Sequence, residues 1–284
     1  MTLTVDAVRD RLPAALPAAG PELLVALDID GTLIDHEERM TTTVRQTVGR
    51  LRDAGARVVL STGRSVSAVV PILEELELRE GWAVCSNGAV CLRLDPALED
   101  GHEISDVVTF DPEPALRLLR EELPDGLFAV EDLGRGFKVT APFPMGELSG
   151  EMTVVDFEEL CAAPASRVTL RAPHLSAADF HALVERVGLH GVSYAVGWTA
   201  WLDLAPDGVT KASALDMLRE RMGVAPGATV AVGDGRNDVE MLRWAGLGVA
   251  MGGADEVTRA AADLVTAPVE EDGIVPVLSA LLPA

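Results

Sequence analysis

Four short segments hold the residues best suited to chemistry. The first, Asp28-Ile29-Asp30-Gly31-Thr32, sets two carboxylates one residue apart. Side chains alternate along an extended chain, so Asp28 and Asp30 are expected to face one way and share a small space. Such a pair can bind a hard divalent cation, or split its pKa values so that one carboxylate attacks while the other carries a proton. A solvated aspartate turn at a strand end is the plain alternative. Gly31 permits a sharp exit from the strand. The second segment, Ser61-Thr62-Gly63-Arg64, offers a hydroxyl, a glycine amide and a guanidinium. Together these suit a phosphate, although a turn and helix cap has the same composition. Gly233-Asp234-Gly235-Arg236-Asn237-Asp238 adds two carboxylates and an amide, and its Gly-x-Gly is too short for a dinucleotide site. Lys211 opens a predicted helix, where a cation is electrostatically out of place. On that segment alone it reads as a surface lysine.

The elements that must position these residues follow from hydropathy. Leu23 to Leu27 has no polar alternation, as in a strand buried on both faces of a parallel sheet. Similar runs recur at Val58 to Leu60, Ala83 to Cys85, Thr229 to Val232 and Leu247 to Ala250. Between them Val44, Val48 and Leu51, and later Leu215, Leu218 and Met222, form helical stripes. Strand alternating with helix predicts a doubly wound α/β core, whose ligands bind outside the carboxyl ends of the strands. Residues 94–198 read differently, with strand-like pieces at Ile104 to Phe110, Phe137 to Thr140, Arg167 to Leu170 and Val192 to Val196 and helices around Pro114 to Glu122 and Ala177 to Val187. The expected layout is therefore a lead-in over 1–20 broken by Pro13, Pro17 and Pro21, a core over 21–93 and 199–284, and an α+β insertion over 94–198. The core pattern is expected to resume at Trp201-Leu202-Asp203-Leu204, with Trp198 and Trp201 anchoring that return or lining a substrate cavity.

Each segment follows a predicted core strand or opens the helix beyond one, so a single cleft could gather all four. Their order and spacing resemble the haloacid dehalogenase-like superfamily, whose motifs stand here as Asp28-x-Asp30-Gly31-Thr32, Thr62-Gly63-Arg64, Lys211 and Gly233-Asp234-x-x-Asn237-Asp238. Ser86-Asn87-Gly88-Ala89, Gly208-Val209-x-Lys211 and Glu240-Met241-Leu242 narrow the resemblance to its Cof-type sugar-phosphatase branch. That resemblance implies a Rossmann-like core with an inserted cap, and a Mg²⁺-dependent phosphatase acting on a small phosphorylated metabolite. In it Asp28 attacks phosphorus, and Asp30 protonates the leaving oxygen and later activates water. Thr62 and Lys211 hold phosphoryl oxygens. Asp28, the Asp30 carbonyl and Asp234 hold the metal, with Asp238 in its outer shell. Gly63, Arg64, Asn87 and Asn237 are the expected substrate contacts. A phosphomutase on a sugar phosphate would share these motifs, and a non-catalytic binder should have lost one of Asp28, Asp30, Lys211 or Asp234. Cap side chains closing over the leaving group would set specificity, and the insertion carries no motif that names a substrate.

Composition excludes other classes. In this 284-residue chain, 48% hydrophobic, 23 basic residues face 45 acidic ones, and the net charge of −22 would repel a nucleic-acid backbone. The same field opposes an anionic substrate, so a phosphate site needs local positive charge from a metal, a lysine or backbone amides. Cys85, Cys91 and Cys161 lack disulfide or zinc spacing, which fits a reducing cytoplasm. Neither a secretory leader nor a membrane span is expected, since the longest uncharged stretch, Val187 to Leu202, falls short of the roughly 20 apolar residues required. The five histidines, His36, His102, His174, His181 and His190, show no metal-ligand spacing. The run Glu74, Glu75, Glu77 reads as a solvated helix face.

Overall fold

The computed structural model describes residues 3–189, 191–196 and 200–283. His190 and Trp198 lie outside them. Along the chain run β1 (Leu24–Leu27), β2 (Arg57–Ser61), β3 (Gly81–Cys85), β4 (Val90–Leu94) and β5 (His102–Val107). Next come β6 (Leu127–Asp132), β7 (Gly136–Val139), β8 (Glu151–Val154), β9 (Val168–Arg171), β10 (Val192–Val196) and β11 (Trp201–Pro206). The last are β12 (Thr229–Gly233), β13 (Leu247–Ala250) and β14 (Leu264–Val265). Two compact units result: Met1–Gly63, Pro71–Ser105 and Thr210–Ala284 form one, and Arg64–Val70 with Asp106–Val209 the other.

The first unit is an eight-stranded sheet in the order β14-β13-β12-β1-β2-β3-β4-β5. Its central strands are parallel, with Leu24 facing both Thr229 and Arg57, and β3 to β4 is an antiparallel hairpin. Every residue of β1, β12 and β13 is buried, as their uninterrupted apolar runs predict. Leu24, Ala26, Val59 and Val84 pack with Ala214, Leu215, Leu218, Met241 and Leu242 from the helices Lys211–Met222 and Val239–Trp244. Each fully buried leucine there contributes about 1.5–3 kcal/mol relative to leaving it exposed. Cys85 is buried, as its apolar neighbours predict. Because β12, β1, β2 and β3 are adjacent and parallel, the segments beginning at Asp28, Thr62, Ser86 and Asp234 all emerge at one edge.

The lead-in is tied down rather than loose. Helix Val5–Arg9, capped by Thr4, buries Val8 and packs on the C-terminal helix Ile274–Leu281, and the Ala19 amide donates to the Leu281 carbonyl at 2.7 Å.

The second unit holds a six-stranded sheet in the order β10-β11-β9-β6-β7-β8, antiparallel except between β7 and β8. One face buries Phe128, Val168, Leu170, Leu202 and Leu204 under the helices Glu113–Glu122, Phe157–Cys161 and Ala177–Val187. Two strands fall otherwise than hydropathy predicts. Residues 102–107, expected within the insertion with a strand from Ile104 to Phe110, instead form the outer strand of the first sheet, where an edge position needs no apolar run. Trp201–Pro206 does not resume the core pattern but pairs with β9 and β10. The alternation of buried Leu202 and Leu204 around Asp203 is the mark of a strand with one covered face.

Candidate active site

Lys211 is the first residue of its helix. Thr210 caps that helix reciprocally, its Oγ1 accepting from the Ser213 amide at 3.2 Å while its own amide donates to Ser213 Oγ at 3.0 Å. The cap orients a side chain that is 1% exposed. Its Nζ donates to Asp28 Oδ1 and to Asp238 Oδ1, each at 2.6 Å. The surface reading of Lys211 is thereby overturned: two carboxylates outweigh the unfavourable helix terminus. Burial alone would lower the lysine pKa, but Asp238 and Asp28 hold it above its ordinary value.

Asp238 is wholly buried and both its oxygens are engaged. Oδ1 accepts from Lys211, and Oδ2 accepts from the Asp234 amide at 3.0 Å and the Gly235 amide at 2.9 Å. It closes the turn after β12 and thereby places Asp234. Asp234 in turn lies against Gly31, which has φ of +69° and where a Cβ would sit 2.2 Å from Asp234 Oδ2. Only glycine fits there, both for its backbone angle and for the approach of the carboxylate.

Carboxylate oxygens of Asp28, Asp234 and Asp238 lie within 4.8 Å of one another. Asp30 is exposed and its side chain is not in that trio, though its charge acts on both Asp28 and Asp234. Burial, the charge of Asp238 and to a smaller extent Asp234 and Asp30 push Asp28 well above its usual range against the pull of Lys211. Burial and Asp238 likewise raise Asp234 to about 7. One ammonium does not neutralise this many carboxylates. An all-oxygen donor set short of positive charge is what a hard divalent cation requires, so the residues fit one.

Thr62 and Gly63 leave β2 beside this cluster. Thr62 is buried, with its amide donating to Val84 O at 2.9 Å and its carbonyl accepting from the Asn87 amide at 3.0 Å. Asn87 Oδ1 accepts from Asn237 Nδ2 at 2.9 Å. The loop that carries Asn87 is strained: Ser86, Asn87 and Gly88 have φ of 50°, 55° and 103°. Left-handed conformations cost about 1–3 kcal/mol for each non-glycine residue. A Cβ at Gly88 would lie 2.2 Å from Thr210 O, so this loop also abuts the start of the lysine helix.

Thus Asp28, Thr62, Gly63, Asn87, Lys211, Asp234, Asn237 and Asp238 all belong to the first unit, whereas Arg64 is half-buried in the second. Thr32 was legible as part of the first motif but not as a contact: its hydroxyl reaches Asp28 Oδ2 at a long 3.5 Å. The Asn87 to Asn237 bond spans 150 residues and leaves no mark in local sequence. Of the described histidines, His36, His174 and His181 are exposed and His102 half-buried. Glu74, Glu75 and Glu77 are exposed as expected. A cavity of about 440 Å³ lined by Arg52, Arg57, Arg79 and Trp82 lies at the amino ends of β2 and β3, away from these groups. Among the described residues no helix is long and apolar enough to cross a membrane.

Known proteins resemble this chain in sequence and fold. The sequence profile of the haloacid dehalogenase-like hydrolases matches residues 25–115 and 173–278. The putative phosphatase YkrA of Bacillus subtilis is 29% identical over 88% of this chain and 94% of its own. The pyridoxal phosphate phosphatase YbhA of Escherichia coli is 28% identical over 88% and 95%. A haloacid dehalogenase-like hydrolase from B. subtilis superposes with a TM-score of 0.76 at 25% identity, over 91% of this chain and 99% of that one. A subclass IIB sugar phosphatase of the same superfamily does so at 0.76 and 25%, over 90% and 98%. With the profile matched over both halves of the first unit's sheet, this chain belongs to the haloacid dehalogenase-like hydrolases.

Proposed function

We propose that this chain is a Mg²⁺-dependent phosphatase that hydrolyses a small phosphorylated metabolite through a phosphoryl group carried transiently on Asp28. The observation that carries the reading is the buried Lys211 ammonium, 2.6 Å from both Asp28 and Asp238. It pulls against the burial and neighbouring carboxylates that push Asp28 upward, and so favours the anion that attacks. It also offsets the repulsion between that anion and an incoming phosphate.

Asp28 attacks phosphorus, and the bond from phosphorus to the leaving oxygen breaks. Asp30 gives that oxygen a proton, then as a carboxylate takes one from water, whose oxygen attacks phosphorus and returns Asp28 as a free carboxylate. Thr62, the Gly63 amide and Asn237 hold the phosphoryl oxygens. Asp28, the Asp30 carbonyl and Asp234 would hold Mg²⁺, with Asp238 behind them because both its oxygens are already engaged. When bound, the cation neutralises the oxygens of the transferring group. Positioning and neutralisation dominate because phosphoryl transfer leaves the protein little other covalent work.

The phosphatases among its relatives favour a small phosphorylated metabolite, one being a pyridoxal phosphate phosphatase and another a 5-amino-6-(5-phospho-D-ribitylamino)uracil phosphatase. A phosphate-release assay over a panel of phosphorylated sugars, cofactors and nucleotides in Mg²⁺ tests the reading. Acid-quenched intact-protein mass spectrometry should find one added phosphoryl group, mapping to Asp28. Isomerisation without release of phosphate, or a phosphoryl group on another residue, overturns it.

A further inference from the structure

We infer that Asn87 is a positioning residue: held in a left-handed turn, it joins Asn237, bonded to its carboxamide, to the Thr62–Gly63 turn, bonded to its backbone amide, so that the phosphate-holding ends of β2 and β12 act as a unit. The inference rests on the phosphatase reading above and concerns how that site is kept in register.

The hairpin from β3 to β4 closes with Cys85 opposite Val90, leaving four residues in the loop. Loops of that length are commonly built around a type I turn, which needs no run of left-handed residues. Here three successive residues have positive φ, two of them not glycine. Strain of this kind persists where surrounding contacts over-determine it, and the contacts are specific. The Asn87 amide donates to the Thr62 carbonyl at 3.0 Å. Its Oδ1 accepts from Asn237 Nδ2 at 2.9 Å. The carboxamide lies over Gly63, where a Cβ would meet Oδ1 at 3.1 Å and Nδ2 at 3.2 Å. Gly88 then presses on the Thr210 carbonyl, immediately before Lys211.

These contacts divide the work between two amides. Asn237 gives one Nδ2 hydrogen to Asn87 and keeps the other for an acceptor in the cleft. Asn87 Oδ1 is taken by that bond, while its Nδ2, over Gly63, is the donor end of the same carboxamide and faces the Thr62–Gly63 turn. The bond therefore fixes the orientation of the Asn237 amide, which would otherwise rotate between two faces of opposite polarity.

A double-mutant cycle tests this with Asn87→Gly, Asn237→Ala and their combination. Glycine keeps the positive φ without strain, so the first variant removes the carboxamide and leaves the turn. Turnover is followed with p-nitrophenyl phosphate and with an alkyl phosphate whose leaving group is poor. Each single variant should lose about 10–10²-fold in kcat, the scale of a small misplacement of catalytic groups. The loss should be equal for both substrates, with the urea midpoint of Asn87→Gly unchanged. The double variant should fall less than about threefold below the worse single one, the non-additivity of residues acting through one contact. The same four proteins are titrated with inorganic phosphate in Mg²⁺ by calorimetry, and the affinity losses should show the same pattern. Losses that multiply, a KM effect alone, a loss that depends on the leaving group, or a lowered urea midpoint would overturn the assignment. A wild-type protein that neither turns over nor binds phosphate refutes the phosphatase reading and this inference with it, whereas one that does both while the losses multiply refutes this inference alone.

Discussion

Each unit of the molecule contains a buried charged cluster, and the two are built on opposite principles. In the first unit Lys211 faces Asp28 and Asp238 with Asp234 close by, so acid exceeds base and both Asp28 and Asp234 are pushed upward. In the second, Asp203 Oδ1 accepts from Arg167 Nε at 2.8 Å, Arg167 Nη2 at 2.7 Å and Thr169 Oγ1 at 2.9 Å, and Oδ2 accepts from Trp201 Nε1 at 3.0 Å. One carboxylate there meets one guanidinium and two neutral donors, and the Arg167 guanidinium also lies 5.8 Å from the centre of the Phe137 ring. The balanced cluster stabilises a sheet. The unbalanced one, with more carboxylates than cations, leaves capacity for a cation that the fold itself does not supply. Burial of charge is common to both clusters; what differs is the charge balance and, in the first, its place at the ends of parallel strands.

The sharpest way to break the comparison is to remove charge from the unbalanced cluster. Asp28→Asn should lose turnover on the order of 10⁴-fold or more, the scale of deleting a nucleophile. Its urea midpoint should hold or rise, because one of several crowded carboxylates has gone. A midpoint that collapses would show that Asp28 serves folding, and an acid-stable phosphoryl adduct on the variant would remove it as nucleophile.

The deficit itself predicts metal linkage. Stripping with EDTA should abolish turnover, Mg²⁺ should restore it, and Ca²⁺ should inhibit by taking more oxygens at longer distance. Without any assay of activity, Mg²⁺ at a hundred times its Kd should stabilise the fold by about 2.7 kcal/mol. Asp234→Asn should lose most of that shift in the unfolding midpoint, and a full shift in the variant would take Asp234 out of the metal site.

Lys211→Met comes next, with an expected loss of about 10²–10³ in kcat, comparable to deleting a preorganised donor. Near-normal turnover on the best substrate would remove Lys211 from the chemistry. Arg167→Met is its counterpart in the second unit. Breaking that pair should cost about 2 kcal/mol of stability, since the half-buried Asp203 loses its charged donor. Turnover per folded molecule should stay within about threefold, the spread of a change outside the site. A hundredfold loss in fully folded Arg167→Met would erase the distinction between the clusters.

What was readable in the sequence follows the same division. The runs at Leu24, Val58, Thr229 and Leu247 announced parallel strands because burial on both faces removes polar alternation, and the strand-end segments could therefore be placed at one edge. Lys211 was conspicuous because its position contradicts the helix dipole. Contacts made by strand pairing were not readable. Arg167 and Asp203 are 36 residues apart and meet only because β9 pairs with β11, and Asn87 meets Asn237 across 150 residues. Residues 102–107 lie at a sheet edge, where hydropathy carries little information, and Trp201 to Leu204 were drawn to the wrong sheet by their position beside the expected boundary.

The smallest expected effect sharpens the comparison most finely. Trp201 gives its indole N–H to Asp203 Oδ2 at 3.0 Å and packs edge-on to Phe143, with ring centres 6.1 Å apart. Trp201→Phe keeps an aromatic ring for that contact and removes the donor alone. Asp203 retains Arg167 and Thr169 on its other oxygen, and its side chain is 15% exposed, so water can replace part of what is lost. The cost should be about 1 kcal/mol, the net worth of one hydrogen bond. It would be read as a lower urea midpoint at unchanged m, since the surface exposed on unfolding is nearly the same. In Arg167→Met the same replacement should cost less than it does in the wild type, because Asp203 there has already lost the pairing that fixes its orientation. Equal costs in the two backgrounds would mean that the tryptophan and the arginine hold Asp203 independently, and that the second cluster is a set of separate contacts rather than a closed one.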